Sequence, residues 1–475
     1  MSASPGIRAS VDAPAVPPPV LLVVLDTVRP DRLSCYGHHR PTTPNLERLC
    51  EDATRYTRAF STSAWTPPAH ASIFTGLYPS GHRVLAQQDL PADVHTLPEV
   101  MRSGGYATSG TSTLNHLTRS RGFDRGLDRH ANPFDGPTIR LPVLGRRRLE
   151  LSREFLSFAV RRALWRYDAC WHSVLAVQRQ IRAAGAGRPF FAFVNLNSAH
   201  NPYRPPRPFA GRFASPLAPA ADRRKVMHLA GRGGYQYMAG GLQVSEAEWE
   251  AVRAIYDEGL LYTDYLVGRL ISFLRRRELY DRTLLIVTAD HAEAFGEHGL
   301  AYHQFGLYDV NIRVPLIVKW PAGFEQAPER GGTDDRMASL VDLAPTISQV
   351  AGVSWPGTLN GVSLLAPVQP DRPVFAEYCP AGEALGMVAP HAAPDDQVIA
   401  RLSRPLQAVR LPGHKYVLPG DGSEELYDLE ADPGEERNIV ADRPELAESM
   451  RGMIAERLKP PEQWLGFAAD GDGRE

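Results

Sequence analysis

The chain has 475 residues, 43% of them hydrophobic, enough to bury a large core and a smaller appended unit. A formal net charge of −2 leaves no polycationic surface for nucleic acid and no acidic tail, and Arg far outnumbers Lys among the cations. Cys35, Cys50, Cys170 and Cys379 lie far apart with no CxxC spacing, so neither a disulfide framework nor a thiolate metal cluster is indicated.

Residues 1–18 are rich in Pro, Ala and Ser and read as a disordered leader without the apolar segment of a secretion signal. Val20–Leu25 is a continuous apolar run ending at Asp26, the pattern of a strand buried on both faces of a parallel sheet. It is far too short to cross a bilayer, no later stretch reaches the ~20 residues needed, and a cytoplasmic protein without a membrane span is expected. In the segment Ser63-Ala64-Trp65-Thr66-Pro67-Pro68-Ala69-His70, Thr66 and Pro67 have the form of an N-cap and first helical residue, and Gly76 sits where that helix would end. The only basic run, Arg146-Arg147-Arg148, is expected at the solvated start of a helix, and 151–183 reads as helical. Phe190–Leu196 is a second buried strand, leading to His200, while 210–241, rich in Gly, Ala and Arg, reads as an irregular lid or loop insertion. Ser245 and Glu248 have capping-box spacing, and Trp249, Val252, Tyr256, Leu260, Thr263, Leu266, Leu270 and Leu274 then recur at helical spacing. Residues 283–288 form a third strand leading to Asp290-His291, and 314–318 a fourth with no polar cluster at its end.

Strands alternating with helices predict an α/β sandwich with a mainly parallel central sheet, and ligands in such folds bind beyond the carboxyl ends of the strands. After Leu365, short β-like runs at 373–377, 406–410 and 416–418 alternate with turn residues, predicting a small antiparallel unit with a closing helix. The expected division is therefore 19–366 and a C-terminal α+β subdomain over 367–466, with a disordered tail from 467 and no internal repeat.

Three strand ends deliver Asp26, His200 and Asp290-His291 to one side. Thr66 could merely cap its helix. It could also be a nucleophile, since an oxygen at a helix N-terminus sits in positive potential that favours an alkoxide and a bound oxyanion. His70, four residues on, shares its helix face. Threonine needs activation to attack at neutral pH. Asp26, Asp290 and His291, with Thr66, make an oxygen-rich set with one imidazole, suited to one divalent ion; Mn²⁺ or Zn²⁺ is favoured, Mg²⁺ fits the same chemistry, and Ca²⁺ fits less well.

These residues sit in a series that resembles the sulfatase family of the alkaline phosphatase superfamily. The series comprises Asp26-Thr27-Val28-Arg29-Pro30-Asp31 with Tyr36-Gly37, Thr43-Pro44-Asn45-Leu46, the Thr66 segment through Thr75-Gly76-Leu77-Tyr78-Pro79, Thr288-Ala289-Asp290-His291-Ala292-Glu293 through Gly299, Arg313-Val314-Pro315, and Glu425-Leu426-Tyr427-Asp428 with Asp432-Pro433-Gly434-Glu435. The resemblance implies that sandwich fold with its small C-terminal antiparallel sheet, metal binding by Asp26, Asp290 and His291, substrate binding and proton donation by His200, and contact of His303 with the ester. The sequence also departs from the family's pattern. Thr27 stands where a second metal aspartate is usual, Thr66 where sulfatases carry the Cys or Ser oxidised to formylglycine, His70 where they have Arg, and Ala292 where they have Gly. Threonine cannot give that aldehyde, because its Cβ carries a methyl group.

The expected enzyme is a metal-dependent hydrolase or transferase of phosphoric, phosphonic or sulfuric esters, with Thr66 attacking in line and His70, His200 and His303 assisting. A true sulfate-ester hydrolase is the nearest rival, and a catalytically silent binding protein the next. A two-metal phosphomutase lacks an assignable second ligand set, although His116 and His298 are spare. The substrate would be a small-molecule, glycan or lipid ester shaped by 132–188 and 210–241; a homo-oligomer is left open.

Overall fold

The computed structural model describes residues 17–135, 138–142, 148–152, 169–185, 187–214, 220–392 and 397–463, without side chains at 138–142, 148–152 and 220–222. Eight strands form the central sheet: β1 (Val20–Leu25), β2 (Thr54–Phe60), β3 (Ala107–Thr111), β4 (Arg129–Ala131), β5 (Phe190–Leu196), β6 (Leu284–Ala289), β7 (Arg313–Lys319) and β8 (Thr333–Ser339). Their order is β8-β2-β7-β6-β1-β5-β3-β4, and every pairing is parallel except those of β7 with its two neighbours. All six residues of β1 are buried, as its unbroken apolar sequence requires when helices cover both faces. β1 pairs with β5 and β6 in a register that sets Leu25 beside Leu196 and Ala289, so the residues following these three strands emerge at one level.

A second sheet, β9 (Val374–Tyr378), β10 (Leu406–Arg410), β11 (His414–Pro419) and β12 (Glu425–Asp428), is antiparallel throughout and packs on the Pro444–Arg457 helix through Val409, Tyr416, Leu426, Met450 and Ile454. It is fastened to the large sheet by buried charge. Asp309, just before β7, holds Arg410 at 3.1 Å and Lys415 at 3.0 Å, and Lys415 also reaches Glu435 at 2.8 Å. Arg372, in the link between the sheets, grips both oxygens of the fully buried Asp342 at 2.6 and 2.7 Å.

Three expectations shift. Residues 210–241 are substantially helical, with Ala220–His228, a π-turn at Leu229–Gly233 and Gly234–Met238. The poor helix propensity of glycine is overridden there by tertiary contact: the Tyr302 hydroxyl accepts from Gly234 N and donates to Leu229 O, and a Cβ on Gly234 would lie 2.5 Å from the Tyr302 ring. Arg148 opens a strand, Arg148–Ser152, paired with Thr138–Pro142, and the following helix spans Ala169–Ala184; the alternating Leu149 and Leu151 carry the strand's period. The leader lies outside the described residues except Pro17 and Pro18, whose carbonyl at 18 accepts the Tyr106 hydroxyl at 3.0 Å. The expected tail from 467, with Arg146 and Arg147, also lies outside them. The long helix falls as read, Glu246–Arg276 behind a Ser245/Glu248 capping box. No disulfide joins any of the four cysteines, and no helix among the described residues is long and apolar enough to cross a membrane.

Candidate active site

Asp26 follows β1 and Asp290 follows β6, each completely buried at the carboxyl edge of the sheet. Asp290 Oδ1 accepts the backbone N–H groups of His291 at 2.9 Å and Thr27 at 3.3 Å. The remaining oxygens, both of Asp26 and Oδ2 of Asp290, have no hydrogen-bond partner among the described residues. His291 closes the group: its ligand nitrogen and the aspartate oxygens all lie within 4.8 Å of one another.

The tautomer of His291 follows from its surroundings. Nδ1 donates to Ala292 O at 3.1 Å, which leaves the Nε2 lone pair facing the aspartates, and the Thr66 hydroxyl donates to it at 3.1 Å. Burial pushes the His291 imidazole down to about 3, so it is a neutral ligand, while burial, then the charges of Asp290 and Glu293, hold the Asp26 carboxyl well above the usual range. Buried carboxylates without donors are costly unless they are paired or coordinate a metal. Orphaned carboxylate oxygens beside a bare imidazole nitrogen and a hydroxyl are the donor set of a divalent cation, so the residues present fit one.

Thr66 is the first residue of the Thr66–Thr75 helix, behind an extended Trp65, and its side chain turns to His291 instead of capping its own helix. The expected N-cap therefore moves to residue 65. Pro67 and Pro68 remove two of the first free amides, which leaves the helix end fewer donors for an oxyanion than its position suggests. Gly76 ends the helix at φ +66°, where a side chain would run into Leu359. His70 lies beneath this turn, fully buried. Its Nδ1 donates to Thr66 O at 3.0 Å and stands 3.5 Å from Asp290 Oδ2, while Nε2 meets the Asn195 amide at 3.4 Å. It braces Thr66 and Asp290 from behind.

Above the cluster, the rings of His200 and His303 are 4.7 Å apart and those of His291 and His303 4.6 Å apart. His200 Nδ1 donates to Asn201 O, and His303 Nδ1 meets Glu293 Oε1 at 3.2 Å. Burial lowers both imidazoles and raises Glu293 to about 7. His116 faces the Trp65 ring edge-on at 5.8 Å, whereas His298 stacks on Tyr308 at 3.6 Å, away from the strand ends.

A sequence profile of the sulfatase family matches residues 18–353, more than two thirds of the chain. The chain belongs to the sulfatase family. It is thereby an ester hydrolase of the alkaline phosphatase superfamily. This sulfatase-family enzyme is 25% identical to the choline-sulfatase of Rhizobium meliloti (strain 1021) over 92% of its own length and 84% of that protein. Its fold matches the phosphonate monoester hydrolase of Agrobacterium radiobacter with a TM-score of 0.67, at 23% identity over 96% of each chain. The structure of BT4656 in complex with its substrate D-glucosamine-2-N,6-O-disulfate gives a TM-score of 0.70 at 18% identity, covering 97% of this chain and 100% of that one.

The sulfatase-family site thus gathers Asp26, Thr66, Asp290 and His291, with His200 and His303 above and His70 behind. Glu293 and Asn195 went without a role in the sequence. Glu293 is three residues past Asp290 in the quoted motif, which was a signal; Asn195 lies inside an apolar strand, and nothing marks it but its polarity. Thr27, in place of the usual second aspartate, adopts φ +59°, an unusual conformation for a β-branched residue, and its N–H serves Asp290 instead of its side chain serving a metal.

Proposed function

We propose that the enzyme cleaves or transfers phosphoric or phosphonic esters by in-line attack of Thr66 Oγ1 on an ester held at the Asp26, Asp290 and His291 cluster. The single observation that carries this reading is the 3.1 Å contact of Thr66 Oγ1 with His291 Nε2, beside the unpaired carboxylates. Asp26, Asp290, His291 and Thr66 would hold one divalent cation, Mn²⁺ or Zn²⁺ by their mixed oxygen and imidazole chemistry. Bound there, it would supply the positive charge that lowers a hydroxyl pKa and offsets developing negative charge on an ester oxygen.

The chain's own residues do the rest. Pro67 fixes the helix turn that aims Thr66, and His70 holds its carbonyl from behind, so the hydroxyl is positioned before substrate arrives. Thr66 releases its hydroxyl proton to solvent, and its oxygen forms a bond to the central atom as the leaving oxygen departs on the opposite side. His200 or His303 gives that oxygen a proton. Water or an acceptor alcohol then displaces Thr66 and restores its hydroxyl.

Threonine at position 66 and histidine at 291 favour phosphorus over sulfur, since formylglycine chemistry is closed to Thr66. A second reading, sulfuric-ester hydrolysis, draws on the choline-sulfatase relative and the sulfated substrate named for BT4656. In either reading the substrate is a small-molecule or glycan ester. A panel of sulfate monoester, phosphate mono- and diester and phosphonate with one shared leaving group, run with Mn²⁺, Zn²⁺, Mg²⁺ and Ca²⁺, separates the two. Thr66→Ala is expected to abolish turnover of the best ester; wild-type turnover in that variant would end the scheme.

A further inference from the structure

We propose that Glu293 is a positioning residue, one that fixes the ring of His303 so that Nε2 is presented to the leaving-group oxygen. The proposal rests on the reading above, in which His303 serves the leaving group.

Glu293 and His303 come from two sides of a short hairpin, Ala294–Phe295 paired with Ala301–Tyr302, so a local fold brings the carboxylate and the imidazole together. The Glu293 side chain is completely buried and that of His303 is 8% exposed. Nδ1 stands 3.2 Å from Oε1, a distance at which it donates its hydrogen to the carboxylate and leaves Nε2 as the only free ring nitrogen. The hairpin is held firmly enough for this contact to persist. Arg29 Nη1 donates to Glu293 O at 3.1 Å, and Gln304 N donates to Ala64 O at 2.9 Å, tying the His303 loop to the segment that carries Thr66.

The backbone around His303 is unusual. Tyr302, Gln304 and Phe305 have φ of +65°, +73° and +62°, a run of left-handed conformations that side chains with Cβ disfavour. Such strain persists only where the surroundings over-determine it, and it concentrates at functional sites. His200, by contrast, turns its Nδ1 to the carbonyl of the adjacent Asn201, an acceptor supplied by the chain next door in sequence. Of the two histidines over the site, His303 is the one whose ring nitrogen lies within hydrogen-bond distance of the Glu293 carboxylate, whose charge also acts on His200.

For turnover Nε2 first takes up a proton from solvent, giving an imidazolium beside the Glu293 carboxylate; that Nε2–H bond then breaks as an O–H bond forms on the departing oxygen, the bond from that oxygen to the central atom breaks, and the ring returns to its neutral form. Nδ1 keeps its hydrogen on Glu293 throughout, so the carboxylate touches no reacting atom.

The test compares wild type, Glu293→Gln, Glu293→Leu, His303→Asn and the Glu293→Leu/His303→Asn double variant on two esters, one with an alkyl and one with a nitrophenyl leaving group. The nitrophenyl ester departs with little help from a proton. For Glu293→Leu the expected result is a loss in kcat of about 10- to 100-fold on the alkyl ester, with KM and the nitrophenyl rate nearly unchanged. Glu293→Gln, which keeps an acceptor oxygen, recovers part of that loss, and the double variant is no slower than His303→Asn. Ring-nitrogen NMR of the zinc-loaded protein, with His303 assigned from its variant, should show the Nδ1-protonated form replaced by a tautomer mixture in Glu293→Leu. Metal content equal to wild type is expected in every variant. Equal losses on both esters, additive losses in the double variant or an unchanged tautomer would overturn the assignment. Full alkyl-ester activity in His303→Asn would overturn it through the reading beneath it, while an active Thr66→Ala would end the nucleophile scheme and leave the dyad standing.

Discussion

Asp26→Asn should make the metal-free protein more stable while removing its response to metal. In the wild type, both Asp26 oxygens and Asp290 Oδ2 lie buried without a donor, and the nearest base, His291, is held neutral by its burial. The ligand atoms of the two carboxylates are within 4.8 Å, so two full charges there would repel by at least about 3 kcal/mol at an effective dielectric of about 20. The protein sheds part of that by keeping a proton, which is why Asp26 sits far above the usual carboxylate range. What remains is the penalty of burying unsatisfied polar atoms, about 1–3 kcal/mol. Asparagine keeps the shape, removes one charge and brings an amide donor. Urea unfolding of chelator-treated proteins should therefore rank Asp26→Asn above wild type by that amount. At a thousandfold excess of Mn²⁺ over its Kd, the wild type should gain about 4.1 kcal/mol and the variant almost none, reversing the order. Equal unfolding midpoints without metal, or an equal gain with it, would refute the reasoning.

Thr66→Val, close in shape but without the hydroxyl, should lower kcat by roughly 10⁴-fold or more, whereas Thr66→Ser should stay active; initial rates on the best ester decide. Burial raises Glu377 from 4.5 to about 7, although it accepts Ser80 N at 2.8 Å and the Gln407 amide at 3.1 Å. The folded state then holds a proton that the unfolded chain has released, so stability should fall as pH rises through that window, by on the order of 3 kcal/mol, and Glu377→Gln should flatten the slope in urea titrations. Arg372→Ala leaves the buried Asp342 without its bidentate cation and should cost about 3–5 kcal/mol, read from the urea midpoint.

The Asp26, Asp290 and His291 cluster was legible because its members follow strands whose apolar runs are unambiguous, and β1 and β6 are adjacent in the sheet. Helix boundaries were less so. Thr66 with Pro67 reads as a cap pair in any isolated peptide, and only the pull of His291, 225 positions away, turns that hydroxyl outward. The Leu229–Gly234 turn is glycine-rich and looked like loop, since the Tyr302 hydroxyl that binds it comes from a distant hairpin. Glu293 stayed without a role for the same reason, because its partner His303 is known only once the hairpin closes.

The clasp around Asp309 bears on how the molecule comes apart. Drawing the four-stranded sheet off the larger one would strand one carboxylate against two cations at a dry surface, and each such buried partner left alone costs about 3–5 kcal/mol. Residues 367–371, the link between the sheets, are exposed to a protease. A nick there would divide the polypeptide yet leave both fragments travelling as one particle, melting together, with Thr66 still facing His291.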